Sequence, residues 1–386
     1  MRNISDTIAR LAALRAQHAV HSPAQAAPGR LATLSEFGAN PGALAARFYV
    51  PADLPAGAPL VVVLHGCTQA ADAYDHSAGW SRLADRNGFA LLYPEQQRGN
   101  NPNLCFNWFV PGDIARHGGE ALSIRNMIER MVATHGLDRS RIFVTGLSAG
   151  GAMAGVMLAT YPEVFAGGAI IAGLPYGTAT TVPEAFDRMR GHGGPAARDL
   201  QRLLGDASPH DGPWPRISIW HGTADQTVAP ANAEAIAAQW LGAHRLDAAP
   251  VPASGSGERR TKRVWHDADG QPAIEVNMIA GMGHGTPLGD GLGTPAPFML
   301  DVGISSTLEI ARFWGIAEEK TGTTRALQPV PTASAPVPRA APVPDTPART
   351  PPPRPASEPA SDEPAPHPGG VKKIIEDALR AAGLMR

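Results

Sequence analysis

Cysteine is almost absent from this chain of 386 residues, which has only Cys67 and Cys105. Two cysteines are too few for a scaffold built on disulfides, and neither has a partner at metal-ligand spacing. A dominant charge is missing too. Lys and Arg number 33 against 35 for Asp and Glu, a net charge of -2. That balance argues against a broad electrostatic surface for nucleic acid or anionic membrane. No apolar run reaches the roughly 18 residues that a membrane-spanning helix needs. Met1–His18 lacks the apolar core of a secretory signal, and Ile4, Ile8, Leu11 and Leu14 fall instead on one face of a short helix.

Glycine and proline are plentiful, at 42 and 38, but they are distributed differently. Fifteen of the 38 prolines lie between Pro329 and Pro368, leaving 23 for the rest of the chain. Residues 319–370 therefore read as a disordered Pro/Ala-rich linker, with too little apolar surface to bury. After it, Val371, Ile374, Ile375, Ala378, Leu379, Ala382 and Met385 follow the i, i+3, i+4 spacing of an amphipathic helix over 371–386. So short a helix is marginal alone, and is expected to dock on its own domain, another subunit or a hydrophobic surface.

Between a helical lead-in at 1–28 and this tail, residues 29–318 alternate short apolar runs with helical stretches. That alternation predicts an α/β fold, a mostly parallel central sheet flanked by helices. The strand candidates are Ala45–Val50, Leu60–Leu64, Ala90–Tyr93, Ile142–Thr145, Gly168–Ala172, Ile217–His221 and Ile274–Ile279. Gly119–His135 is the clearest helix, with a stripe of Leu122, Met127, Ile128 and Met131. Residues 174–215 interrupt the pattern and are expected as an insertion over the carboxyl edge of the sheet, where ligands bind in open α/β folds. Asp267-Ala268-Asp269-Gly270 resembles the start of a calcium loop, but Met278 stands where its twelfth-position Glu would be, so it reads as a hairpin turn.

The run Ile142-Phe143-Val144-Thr145-Gly146-Leu147-Ser148-Ala149-Gly150-Gly151 is a buried strand leading into G-x-S-x-G and a helix. A serine on so sharp a strand-to-helix turn needs small neighbours. The turn lifts its Oγ above the sheet at a helix N-terminus, whose dipole favours the anion formed on attack. Such a nucleophile needs a base, and the base needs an orienting carboxylate. Two later strand ends supply them in chain order. Asp225 follows Ile217–His221, with Asp206 and Asp211 as alternative acids, and His284 follows Ile274–Ile279 between glycines. The Leu64-His65-Gly66-Cys67 strand end is where such a site draws one oxyanion N–H, so the N–H groups of Cys67 and Ala149 are assigned to that hole, with His65 structural. Phe106, Trp108, Phe109 and Tyr176 are candidate cleft lining. Cys67 and Cys105 read equally as a staple between the oxyanion loop and this aromatic wall or as two free buried thiols. The chemistry calls for no cofactor and no metal.

Taken together, Leu64–Gln69 (LHGCTQ), Pro94–Gln97 (PEQQ), Asn103–Phe109 (NLCFNWF), Gly146–Gly151 (GLSAGG), Ala172–Gly177 (AGLPYG), Trp220–Asp225 (WHGTAD) and Gly281–His284 (GMGH) resemble the poly(3-hydroxybutyrate) depolymerase family of esterases. Its relatives include feruloyl and acetylxylan esterases. The likeness spans about Gly42 to Gly315. It implies an α/β-hydrolase with Ser148, Asp225 and His284 as triad and Cys67 at the oxyanion hole, acting on a short-chain polyhydroxyalkanoate, its oligomers or a similar ester. A feruloyl or acetylxylan-type esterase is the alternative within the class; an acyltransferase or a non-catalytic protein docked on polymer granules is the alternative outside it. The chain departs from many secreted members in reading GTPLG after His284 and in ending its linker in one short helix rather than a folded polymer-binding module. The resemblance implies an extracellular protein, whereas the N-terminus shows no signal peptide and leaves an intracellular one open.

Overall fold

The computed structural model describes residues 29–246, 250–252 and 257–318; the lead-in at 1–28, the linker at 319–370 and the helix expected at 371–386 lie outside them. Twelve strands are described. They are β1 (Ala32–Thr33), β2 (Ala45–Tyr49), β3 (Leu60–Leu64), β4 (Ala90–Glu95), β5 (Ile142–Leu147), β6 (Gly167–Ile171), β7 (Arg216–Gly222), β8 (Val251–Pro252), β9 (Arg260–His266), β10 (Pro272–Ile279), β11 (Thr286–Leu288) and β12 (Met299–Asp301). The first ten form one sheet in the order β1-β2-β4-β3-β5-β6-β7-β10-β9-β8. The six central strands, β4 to β10, run parallel, and antiparallel pairs close both edges.

The central strands are apolar on both sides because helices cover both faces. Side chains alternate along β3: Leu60, Val62 and Leu64 enter one core, Val61 and Val63 the other. The first core takes Ile124, Met127 and Met131 from the helix Gly119–His135, Met153 and Met157 from Ala149–Thr160, and Ile236 and Trp240 from Ala231–His244. The second takes Tyr74, Leu83 and Ile310 from Ala71–Ala78, Trp80–Asn87 and Ser306–Phe313. Ile124 rather than Leu122 completes the apolar stripe of Gly119–His135, and Leu122 is only half-buried. All twelve residues of Ala149–Thr160 are buried, as expected of a helix apolar all round.

Strands β1, β8, β9, β11 and β12 go beyond the expected strand list. β9 is longer than its apolar end, Val264–His266, suggests, since Arg260–Arg263 pair fully along β10. Asp267–Gly270 is the turn of that β9–β10 hairpin, closed by the Asp267 N–H bond to the Gln271 carbonyl at 2.9 Å. The short parallel pair β11–β12 follows His284. Residues 174–215 contain two helices, Val182–Met189 and Ala197–Gly205. Both are tied to Ala231–His244. The wholly buried Gln239 side chain donates to the Tyr176 and Leu200 carbonyls at 3.0 and 3.1 Å, and Asn232 donates to Arg188 O at 3.0 Å.

Glycine is required where β5 meets the helix behind it. A Cβ on Gly150 would stand 2.4 Å from the backbone oxygens of both Leu64 and His65, and one on Gly146 2.2 Å from Gly150 O. These obstacles are backbone and cannot rotate away. Gly150→Ala should therefore destabilise the fold by about 3 kcal/mol, whereas Gly99→Ala, with nothing within 4 Å, should change it by less than about 0.5 kcal/mol. Urea unfolding of the two variants checks the contrast.

Candidate active site

Of the residues singled out above, Ser148, Asp225, His284 and Cys67 follow the carboxyl ends of parallel strands β5, β7, β10 and β3. Ser148 lies between β5 and Ala149–Thr160 at φ 57° and ψ −118°, in the left-handed half of backbone space that a residue with a Cβ rarely enters. Its own N–H is anchored on Ile171 O of β6 at 2.9 Å. The side chain is half-buried, and its Oγ has no hydrogen-bond partner among the described residues. Catalytic hydrogen bonds often tighten only when substrate binds.

Asp225 is buried on the loop after β7. Its Oδ1 accepts the Thr227 and Val228 N–H groups, both at 2.9 Å, and its Oδ2 lies 2.7 Å from Nδ1 of His284. Burial pushes the carboxyl up, but hydrogen bonds from His221 and His284 outweigh it and hold Asp225 well below the usual carboxylate range. An ionised Asp225 fixes the His284 proton on Nδ1 and leaves Nε2 bare to accept another. Gly222 brings the two loops together, since a Cβ there would lie 2.2 Å from Met282 O. His221, which the sequence reads only as the end of a strand, also faces this carboxylate. It is wholly buried, with Nε2 at 2.9 Å from Val228 O and 3.4 Å from Asp225 Oδ2. The alternative acids Asp206 and Asp211 are exposed on the insertion.

The loop after β3 is held on both sides of Cys67. Gly66 N–H donates to Gln69 Oε1 at 2.8 Å and Thr68 N–H to Asn103 O at 2.7 Å, while Cys67 N–H has no acceptor among the described residues. Ala149 N–H, the first of its helix, likewise has none. Cys67 and Cys105 are joined by a disulfide, with Cα atoms 4.2 Å apart, so the loop is stapled to the segment carrying Trp108 and Phe109. Those two aromatics meet edge to face, and with Cys67, Cys105, Ala149, Val228 and Met189 they form one apolar cluster.

One expected lining residue, Phe106, stands elsewhere, and Tyr176 is half-buried. Phe106 is fully buried and packs on the His65 ring, centroids 5.0 Å apart, so it supports the loop after β3 from behind and cannot line a cleft. Tyr176 packs against the main core, its backbone held at both N–H and C=O by Gln239. The sequence marked both only as aromatics near motifs, a signal that does not separate core from cleft. Met189, on the insertion, joins the cluster without having been singled out.

With this geometry in view, comparison with known proteins is informative. The family model described as Esterase PHB depolymerase matches residues 44–263. The chain is 50% identical over 294 residues to Poly(3-hydroxyalkanoate) depolymerase C of Paucimonas lemoignei, covering 74% of this chain and 70% of that one. It is 30% identical over 269 residues to Feruloyl esterase B of Talaromyces funiculosus, covering 67% and 73%. Among solved structures, acetyl xylan esterase from Aspergillus awamori superposes with a TM-score of 0.64 over 75% of this chain and 100% of that one; at 24% identity the likeness speaks for the fold, an α/β-hydrolase.

His65 gives the loop after β3 its own pH signature. Its Nε2 accepts the Gln96 N–H at 3.1 Å, so the ring proton sits on Nδ1 and is donated to Gly66 O at 2.8 Å. Burial lowers its pKa to about 4, with the Gly66 bond opposing the shift. Between that value and the ordinary 6.5 the unfolded chain binds a proton that the folded one refuses, so stability falls as pH drops through this window. Relative to His65→Gln, the parent should lose on the order of 3 kcal/mol of unfolding free energy between pH 7 and pH 4, read by urea titration at each pH.

Proposed function

We propose, from the premise that this chain belongs to the esterase PHB depolymerase family and is a carboxylic ester hydrolase, that it cleaves short-chain polyhydroxyalkanoates or their oligomers through an acyl-enzyme on Ser148. The observation that carries this reading is the 2.7 Å Asp225–His284 pair at the same sheet edge as a serine on strained backbone.

In the proposed sequence His284 Nε2 takes the Ser148 proton as Oγ attacks the ester carbonyl. Asp225 stabilises the imidazolium that results. The carbonyl oxygen, now an oxyanion, is received by the N–H groups of Cys67 and Ala149, which have no acceptor among the described residues. Collapse of the tetrahedral intermediate breaks the ester C–O bond, and His284 returns the proton to the departing alkoxide. Water then attacks the acyl-enzyme by the same route, giving the free acid and restoring Ser148. Trp108, Phe109 and Met189 supply apolar walls suited to a neutral, short acyl unit. The disulfide supports a working life in an oxidising compartment, outside the cytosol.

Ser148→Ala should lower hydrolysis of p-nitrophenyl butyrate by roughly 10⁴-fold or more at an unchanged melting temperature, and retained turnover would refute the assignment. In parallel, kcat/KM for 3-hydroxybutyrate oligomers should exceed that for methyl ferulate by about tenfold or more. The reverse ranking would favour the feruloyl-esterase alternative.

A further inference from the structure

Glu120 is a charged-type side chain with no exposure at all, in the first turn of Gly119–His135, and the mechanism above gives it nothing to do. Its surroundings are specific. Oε1 accepts from Gln96 Nε2 at 2.6 Å and from Asn100 Nδ2 at 3.2 Å, and Oε2 accepts the Asn107 N–H at 2.9 Å. Burial pushes the carboxyl up to about 8, and in either protonation state both oxygens keep lone pairs for these donors.

All three donors lie on the segment 96–109 after β4, which the disulfide joins to the loop after β3. Gln96 also donates from Nε2 to the carbonyl of Cys105, the residue disulfide-bonded to Cys67. The Gln96 N–H fixes the His65 ring, whose other nitrogen holds the Gly66 carbonyl next to Cys67. Asn107 precedes Trp108 in the wall of the cleft. Through Gln96 and the Cys105 segment, this one buried carboxyl braces both the loop that presents Cys67 and the wall that carries Trp108.

We infer that Glu120 is a positioning residue for catalysis, which sets the placement of the Cys67 N–H through Gln96 and the Cys105 segment without touching substrate. This inference rests on the Ser148 reading and deepens it. Oxyanion donors act on the transition state more than on bound substrate, so displacing one lowers kcat and leaves KM nearly unchanged. A merely structural carboxyl would lower stability and the amount of active enzyme but not turnover per intact site.

The test uses the full chain with Glu120→Met, which keeps the bulk and removes the acceptors, and Gln96→Met, which cuts the link to Cys105 but keeps the Gln96 N–H. Intact sites are counted by end-point labelling with a fluorophosphonate and peptide mapping. For Glu120→Met, kcat on p-nitrophenyl butyrate per labelled site should fall roughly tenfold to a hundredfold with KM within about threefold. The inhibition constant of an alkyl boronic acid, a tetrahedral mimic, should rise by a similar factor. Gln96→Met should show the same pattern with a smaller loss, and it decides the matter should Glu120→Met fail to fold. Turnover per site within twofold of the parent, or a loss carried entirely by KM, would overturn the inference. Failure of the parent to label at Ser148 would overturn the functional reading beneath it.

Discussion

Ser148 is held at φ 57°, and a residue with a side chain pays on the order of 1–3 kcal/mol to be there. What holds it is steric and local. β5 enters the turn fixed between β3 and β6, Ser148 N–H is bonded to Ile171 O, and an entirely buried helix leaves the turn against the Leu64 and His65 backbone. Chain cannot back away from either side, because Gly146 and Gly150 already allow the closest approach that main chain permits. The surrounding core therefore bears the strain and holds Ser148 at the carboxyl end of β5.

The other parts reach that edge by the same device, a parallel strand that ends and a loop that turns back. β7 delivers Asp225, β10 delivers His284 and β3 delivers Cys67. Parallel pairing puts all these carboxyl ends on one side, so residues far apart in sequence share one site. The loops differ in how they are fixed. Asp225 is fixed by backbone amides and two histidines, whereas Cys67 is fixed by a disulfide, a neutral histidine and the hydrogen-bonded group centred on Glu120.

Much of this was legible in the sequence because the requirements are local. Continuous apolar runs at Leu60–Leu64 and Ile142–Thr145 mark strands covered on both faces, and glycines two positions either side of Ser148 mark the turn. The order serine, aspartate, histidine after three strand ends marks the edge. What was not legible depends on packing between distant segments. Glu120 reads as an ordinary acid in a helix's first turn, and only the fold sets it against Gln96, Asn100 and Asn107. Phe106 lies two residues from Trp108, yet one is sealed behind His65 while the other joins the Ala149 cluster, a distinction of side-chain direction that composition does not carry. β11 and β12 are three residues each, too short for periodicity to register.

The central claim is that a covalent acyl group forms on Ser148. Acid quenching of the enzyme within milliseconds of mixing with a p-nitrophenyl ester, followed by proteolysis and mass spectrometry, reads it directly. The account predicts an acyl adduct on the peptide containing Ser148, transient in the parent and absent in Ser148→Ala. An adduct on another residue, or turnover with no acyl-enzyme at any quench time, would contradict it.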